Sequence, residues 1–269
     1  MKLAFIGGGA MGEAMVGGLL GNGTAAPDDI VVAEPVADRR TFLEKRYGVR
    51  ALDDNAGAVT GADLVVLAVK PQSLDDVAPG LWGILQPGQT LLSIMAGVPI
   101  LRLREAFDHP AVIRVMPNTP AQIGQGMSVW TATETVTPEA REAARRVLGA
   151  LGREIYVSDE HYLDIATAVS GSGPGYVFLL LEAYIDAAVH VGFSRQQATE
   201  LVLQTVIGSA LYARETGRHP AELRNAVTSP AGTTAAGLYE LEKAGLRAAF
   251  VEAIVASAER SRALGAVSK

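Results

Sequence analysis

The sequence has no cysteine. That excludes a disulfide framework, thiolate metal ligands and thiol catalysis. Charge is scarce: Asp, Glu, Lys and Arg make up 19% of the residues, and the net charge is −6. An acidic balance with no basic run does not suit a nucleic-acid backbone, so no nucleic-acid partner is expected. The histidines His109, His161, His190 and His219 are too dispersed for a metal site, and no metal is expected. No apolar run reaches the ~18 residues of a spanning helix. The best candidate, residues 176–193, is interrupted by Glu182, Asp186 and His190. No membrane partner is expected, and the chain reads as cytoplasmic.

Hydrophobic residues nevertheless make up 49% of the chain, and the mean hydropathy is +0.22. Without a membrane span to absorb them, these residues imply surface hidden between subunits, and 176–193 reads as a helix at an oligomer interface. The opening MKLAFIGGGAMGEAMVGGLL begins like a signal peptide, but three consecutive glycines and Glu13 break its apolar region.

Up to about residue 157, short apolar runs alternate with helical patterns. Strands are predicted at 2–7, 30–34, 63–69, 90–96, 111–116, 127–132 and 153–157, with helices at 10–21, 36–47, 73–83, 99–107 and 138–151. The alternation predicts a parallel sheet with crossover helices. Beyond about residue 160 only helical patterns remain. Ser194 and Gln197 form a capping box for a helix running towards Gly217. His219-Pro220 starts another helix, which Ser229-Pro230 ends, and a last helix at 246–265 stops at Gly265. The fold class is therefore α/β, with a sheet domain over 1–160 followed by an all-helical domain over 161–269.

FIGGGAMG follows the first strand and opens the first helix. Gly7, Gly9 and Gly12 fit G-x-G-x-x-G, and Glu34 closes the second strand 22 residues past Gly12. Gly7 permits the tight turn, Gly9 the approach of a pyrophosphate, and Gly12 close helix–strand packing. Ala10 and Met11 begin the helix whose N-terminus faces the phosphates. Further coenzyme contacts are expected at the carboxyl ends of later strands: Ala68, Val69, Lys70 and Pro71; Met95, Ala96 and Gly97; and Asn118. Lys70 is either such a contact or a solvated strand end, and Asn55 either an adenosine contact or a helix cap.

Together these motifs resemble pyrroline-5-carboxylate reductase. The resemblance spans nearly the whole chain through FIGGGAMG, AVKP, MAGV, RVMPNTP, SGSGPGY (170–176) and HPAELRNAVTSPAGTT (219–234). It implies a Rossmann-type dinucleotide-binding domain at 1–160 and a helical substrate-binding and dimerisation domain at 161–269. It also implies NAD(P)H-dependent reduction of the cyclic imine 1-pyrroline-5-carboxylate to L-proline, the last step of proline biosynthesis, by a dimer or higher homo-oligomer. Two residues depart from the family's usual pattern: Ala231 stands where glycine is common, and Glu34 where a small polar residue is common.

The uncharged TSPAGTT stretch (228–234) then acquires a purpose. Unpaired N–H groups after Gly232 form a neutral site for the substrate carboxylate. Ser229 and Thr233 add hydroxyl donors, and the resemblance points to Thr234 as the group that orients the imine nitrogen. SGSGP reads both as the turn where the two domains meet and as a capped helix start with Pro174 in its first turn.

Rival readings are a β-hydroxyacid dehydrogenase, another imine reductase, and a non-enzymatic NAD(P)-sensing regulator. The first wants a catalytic lysine in the helical half, which holds only Lys243 and Lys269. A sensor has no need of the hydroxyl loop. Glu34 favours the free ribose of NAD, while Arg39 or Arg40 could clamp the 2′-phosphate of NADPH or lie on a solvated helix face paired with Glu44. On balance NADH is expected to serve at least as well as NADPH.

Overall fold

All four residues of the first strand, β1 (Leu3–Ile6), are buried, as are those of β4 (Leu64–Leu67) and β5 (Thr90–Ser93). Strands buried along their whole length need cover on both faces, and helices supply it. The computed structural model describes residues 1–267. After β1 come α1 (Ala10–Gly21), β2 (Ile30–Ala33), α2 (Ala37–Tyr47), β3 (Arg50–Leu52) and α3 (Asn55–Val59), leading to β4. Then follow α4 (Leu74–Val77), β5, α5 (Ile100–Phe107), β6 (Val112–Met116), β7 (Gly126–Ala132), α6 (Pro138–Gly149), β8 (Gly152–Tyr156) and α7 (His161–Ala166). The strands form one sheet in the order β3-β2-β1-β4-β5-β6-β7-β8.

Side chains alternate across this sheet. Leu3, Phe5, Val32, Leu64, Val66 and Ile113 pack with Met15, Val16 and Leu19 of α1 and Val147 and Leu148 of α6. Ala4, Ile6, Val65, Leu67 and Val112 pack on the other face with Ala58, Val59, Leu103 and Phe107.

The structure departs from the sequence expectations in several places. β7 runs antiparallel to β6, because the connection over 117–125 is too short for the crossover that parallel strands need. The edge strand β3, three residues long, has no counterpart among the strands predicted from the sequence. The helix expected at 73–83 is only α4, four residues flanked by single 3₁₀ turns at Pro71–Ser73 and Ala78–Gly80. Pro79 and the glycines that follow stop it.

The chain divides into two units, Met1–Pro174 with the residues from Ser257 on, and Gly175–Ala256. A boundary at 160 assigns α7 to the helical half. Instead Leu163 and Ala166 of α7 are buried, and α7 belongs to the sheet unit.

The helices that follow are α8 (Gly173–His190), α9 (Arg195–Thr216), α10 (Pro220–Ala226), α11 (Thr233–Lys243) and α12 (Leu246–Val267). The Ser194–Gln197 capping box opens α9, and Gly217 closes it in the left-handed conformation. His219 caps α10 through Nδ1, which accepts the Ala221 N–H at 3.2 Å. α10 ends at Ala226, ahead of Ser229-Pro230, and α12 continues past Gly265 to Val267, so neither expected stop signal is the one used. Within the second unit Ala198 and Val202 are buried, while Phe178, Leu179, Tyr239 and Val251 are each more than 60% exposed (61%, 67%, 66% and 62%).

Candidate active site

The glycine loop between β1 and α1 has one clear reason for each glycine of its fingerprint. Gly7 has φ +103°, and a Cβ there would lie 2.8 Å from Val69 Cγ1 and 2.9 Å from the Ala68 carbonyl oxygen. A Cβ on Gly12 would collide with the Gly7 carbonyl oxygen. A Cβ on Gly9 would meet no atom of the described residues within 4 Å, so their packing does not require that glycine. It keeps clear the space before α1, whose N-terminus has no side-chain cap. Uncapped N–H groups, the positive end of the helix and a cleared backbone fit the pyrophosphate of a dinucleotide.

Behind the loop lies a network of charges. Glu34 is only 8% exposed. Its Oε2 accepts the Gly8 N–H and its Oε1 the Val36 N–H, both at 3.0 Å. Arg39 donates from Nε to the Gly8 carbonyl at 2.7 Å and pairs with Glu13. The Tyr47 hydroxyl donates to Glu13 at 2.9 Å. Burial alone would raise the Glu13 pKa, but Arg39 and the Tyr47 hydroxyl outweigh it and hold the carboxyl below its usual range. Arg40 donates from Nη1 to the carbonyls of Glu34 and Pro35, each at 2.8 Å, and lies 3.6 Å from Asp53. Neither arginine pairs with Glu44, whose carboxylate instead accepts the Ala51 N–H at 3.4 Å. The solvated helix face expected for them is replaced by two arginines fastened to the loop and to the end of β2.

The other strand ends line up along the same edge, since β1, β2, β4, β5 and β6 are parallel. Ala68 donates its N–H to the Ile6 carbonyl at 2.9 Å, so the Ala68–Pro71 segment lies beside the glycine loop. Lys70 is exposed there, just before the Pro71–Ser73 turn. Met95 is buried after β5, and its N–H donates to Ser93 Oγ at 3.2 Å. Asn55 is the first residue of α3; the cap is Asp54, which accepts the N–H groups of Ala56 at 3.0 Å and Gly57 at 2.9 Å. Asn118 follows β6, and its amide bonds to Met127 and Ser170.

Sequence reasoning missed an ion cluster built around a buried arginine. Arg114, in the middle of β6, pairs with Glu160 at 2.6 Å and Asp164 at 3.3 Å. Glu160 also accepts the Ile100 N–H at 2.8 Å. The signal was present: an arginine inside the apolar run AVIRVM cannot be buried without partners.

In the second unit, Ser229–Gly232 forms a tight turn closed by the Gly232 N–H on the Ser229 carbonyl at 3.0 Å. Ala231 has φ +57°. A Cβ on Gly232 would collide with Ser229 Oγ, so glycine is required for that side chain to lie against the turn. α11 then starts at Thr233 with no side-chain cap. Thr233 and Thr234 are exposed in its first turn. Thr228 is not part of this set, because its hydroxyl donates back to the Arg224 carbonyl at 2.6 Å. In SGSGP the helix-start reading holds: α8 begins at Gly173 with Pro174 in its first turn, after a π turn at Thr167–Gly171.

A glycine loop and helix N-terminus at the carboxyl edge of a parallel sheet, followed by a helical unit, define a Rossmann-type oxidoreductase that uses a nicotinamide dinucleotide. Residues 2–97 match the model for "NADP oxidoreductase coenzyme F420-dependent", and residues 160–264 match "Pyrroline-5-carboxylate reductase dimerisation". The chain is 44% identical to a pyrroline-5-carboxylate reductase of Synechocystis over 98% of both chains, and 40% identical to one of Methanosarcina acetivorans over 98% of both. It superposes on the solved reductase of Coxiella burnetii with a TM-score of 0.90 at 35% identity, covering 98% of each chain. For the Plasmodium falciparum enzyme, solved with NADP bound, the TM-score is 0.86 at 31% identity, again over 98% of each. The chain belongs to the pyrroline-5-carboxylate reductase family and is an NAD(P)H-dependent oxidoreductase.

Proposed function

We propose that the chain reduces 1-pyrroline-5-carboxylate to L-proline in the cytoplasm, with Ser229–Thr234 as the imine site. The observation that carries this is the uncapped start of α11, preceded by a glycine turn and lined with hydroxyls instead of charge. Free N–H groups there, with Ser229 and Thr233, hold the substrate carboxylate without a formal cation. Thr234 orients the imine nitrogen and donates to or accepts from it as it becomes an amine. No acidic side chain is needed, since a cyclic imine is itself basic enough to carry a proton near neutral pH. Bound NAD(P)H supplies the hydride.

Gly7, Gly9, Ala10, Met11 and Gly12 would hold the pyrophosphate, and Ala68–Pro71 and Met95–Gly97 would border the coenzyme on the sheet side. Asn55 sits by the adenosine. Glu34 accepts the ribose hydroxyls and repels a 2′-phosphate, so NADH serves at least as well as NADPH. The exposed apolar helices of the second unit pair with those of another copy, giving a dimer or higher homo-oligomer.

The test is loss of absorbance at 340 nm with the imine, run in parallel with NADH and NADPH. Turnover with both, and no loss of efficiency with NADH, is expected. No turnover with either coenzyme would rule out the substrate, and turnover confined to NADPH would rule out the ribose role of Glu34.

A further inference from the structure

We propose, resting on the assignment of the β5 and β6 ends to the coenzyme edge, that Asn118 is a positioning residue of the reduction. It does not hold the coenzyme. It locks the strand end bordering the coenzyme to the turn through which the chain leaves the sheet unit.

The amide of Asn118 is engaged at both atoms within that unit. Oδ1 accepts the Met127 N–H at 2.8 Å, and Nδ2 donates to the Ser170 carbonyl at 3.0 Å. Ser170 has a specific need for that donor. Its regular helical partner, four residues on, is Pro174, which has no N–H. Here the helix widens into the π turn Thr167–Gly171, closed by the Ser172 N–H on the Thr167 carbonyl at 2.7 Å. Widened turns of this kind recur at functional sites.

The same strand is fastened to the same segment twice more. Gly171 packs beside the Met116 side chain at the end of β6, where a Cβ would lie 2.5 Å from the methionine's terminal Cε. Arg114, two residues further into the strand, holds Glu160 and Asp164. From Arg114 to Asn118 the strand is thus stitched to residues 160–171, and Asn118 is the stitch at the carboxyl edge. Hydride transfer depends on near-attack geometry, and about 1 Å of misplacement costs roughly 100-fold. Losing the Asn118 link would let strand end and turn move separately, while the glycine loop still binds coenzyme.

The test uses Asn118→Ala and Asn118→Asp in the full chain. Alanine loses both bonds. Aspartate still accepts from Met127 but cannot donate to Ser170, so it isolates the second bond and keeps the test open if alanine folds poorly. For both, kcat should fall about 10- to 100-fold and the fluorescence Kd for NADH should stay within about threefold. The isotope effect with 4-deuterated NADH should rise as hydride transfer becomes limiting. Coenzyme binding about tenfold weaker with kcat unchanged would overturn the proposal, making Asn118 a coenzyme contact. So would a lower kcat with an unchanged isotope effect, which reports only a smaller folded fraction. Wild-type kcat and isotope effect in Asn118→Asp would overturn it as well.

Discussion

Glu34 and Gly8 are joined directly: the Gly8 N–H donates to Glu34 Oε2 at 3.0 Å, tying the end of β2 to the middle of the glycine loop. The carboxylate that would meet the ribose is therefore also a strut for the loop that meets the pyrophosphate. Glu34→Ser should move the kcat/KM ratio towards NADPH by about tenfold, or 1.4 kcal/mol. It should also weaken binding of both coenzymes, because serine cannot span to Gly8 and Val36 at once. Parallel kinetics with NADH and NADPH check this. A variant whose ratio is unchanged would show that the side chain serves the loop alone.

Glu13 sets a pH limit on the same loop. Its folded pKa lies below the ordinary value, held there against burial by Arg39 and Tyr47. The stabilisation is therefore fully present above the ordinary carboxylate range and is lost as pH falls through the lowered value. Coenzyme affinity and Tm should both fall once the pH drops below the ordinary carboxylate range. In Glu13→Gln that acid dependence should be shallower and affinity at neutral pH lower. Thermal melts and coenzyme titrations across pH measure it, and an unchanged acid slope in the variant would contradict the role of the Glu13–Arg39 pair.

Thr234→Ala should lower kcat/KM for the imine by about ten- to a hundredfold, since a hydrogen bond to a charged group is worth roughly 1.5–3 kcal/mol. Coenzyme affinity should be nearly unchanged. Ser229→Ala should act mainly on KM, because a carboxylate contact is made in ground and transition states alike. Wild-type kinetics in Thr234→Ala would move the imine site elsewhere.

Ala231 occupies the third position of its turn with φ +57°, where glycine is the unstrained choice. Left-handed backbone costs an alanine roughly 1–2 kcal/mol, while glycine adds about 0.4–1 kcal/mol of unfolded-chain entropy. Ala231→Gly should therefore be stabilising by about 1 kcal/mol or less. A thermal midpoint lower than wild type would show that neighbouring contacts hold the alanine in place.

Phe178 is 61% exposed on α8 amid Val177, Leu179 and Leu180, each at least 40% exposed. Phe178→Asp should weaken self-association and reduce turnover together, read by sedimentation velocity and the 340 nm assay. A fully active monomer, wild type or variant, would contradict assembly through this surface.

Where local signals agree with long-range packing, the sequence was readable. The glycine fingerprint, the Ser194–Gln197 box and the His219-Pro220 start all appear as the residues imply. Failures came where tertiary context decides. The direction of β7 follows from the length of its connection, and β3 is too short to show a period. The Arg114 partners lie about fifty residues away in sequence, beyond any local pattern. The candidate site was legible as motifs, but its wiring was not. That Glu34 braces Gly8 and that Arg39 is held by Glu13 are facts of side-chain reach, which spacing does not reveal.

The strand order has a consequence for how the chain is made. From β5 onward every strand lies beside the one that immediately precedes it in the chain. A nascent polypeptide emerging N-terminus first needs one long-range pairing, β1 with β4. Thereafter each new strand meets an edge already in place, across a loop of modest closure entropy. The strands that form the coenzyme edge are complete once Met116 has emerged, before any residue of the Gly175–Ala256 unit has been synthesised. Folding of the sheet can thus run in step with translation, before the apolar helices have been made.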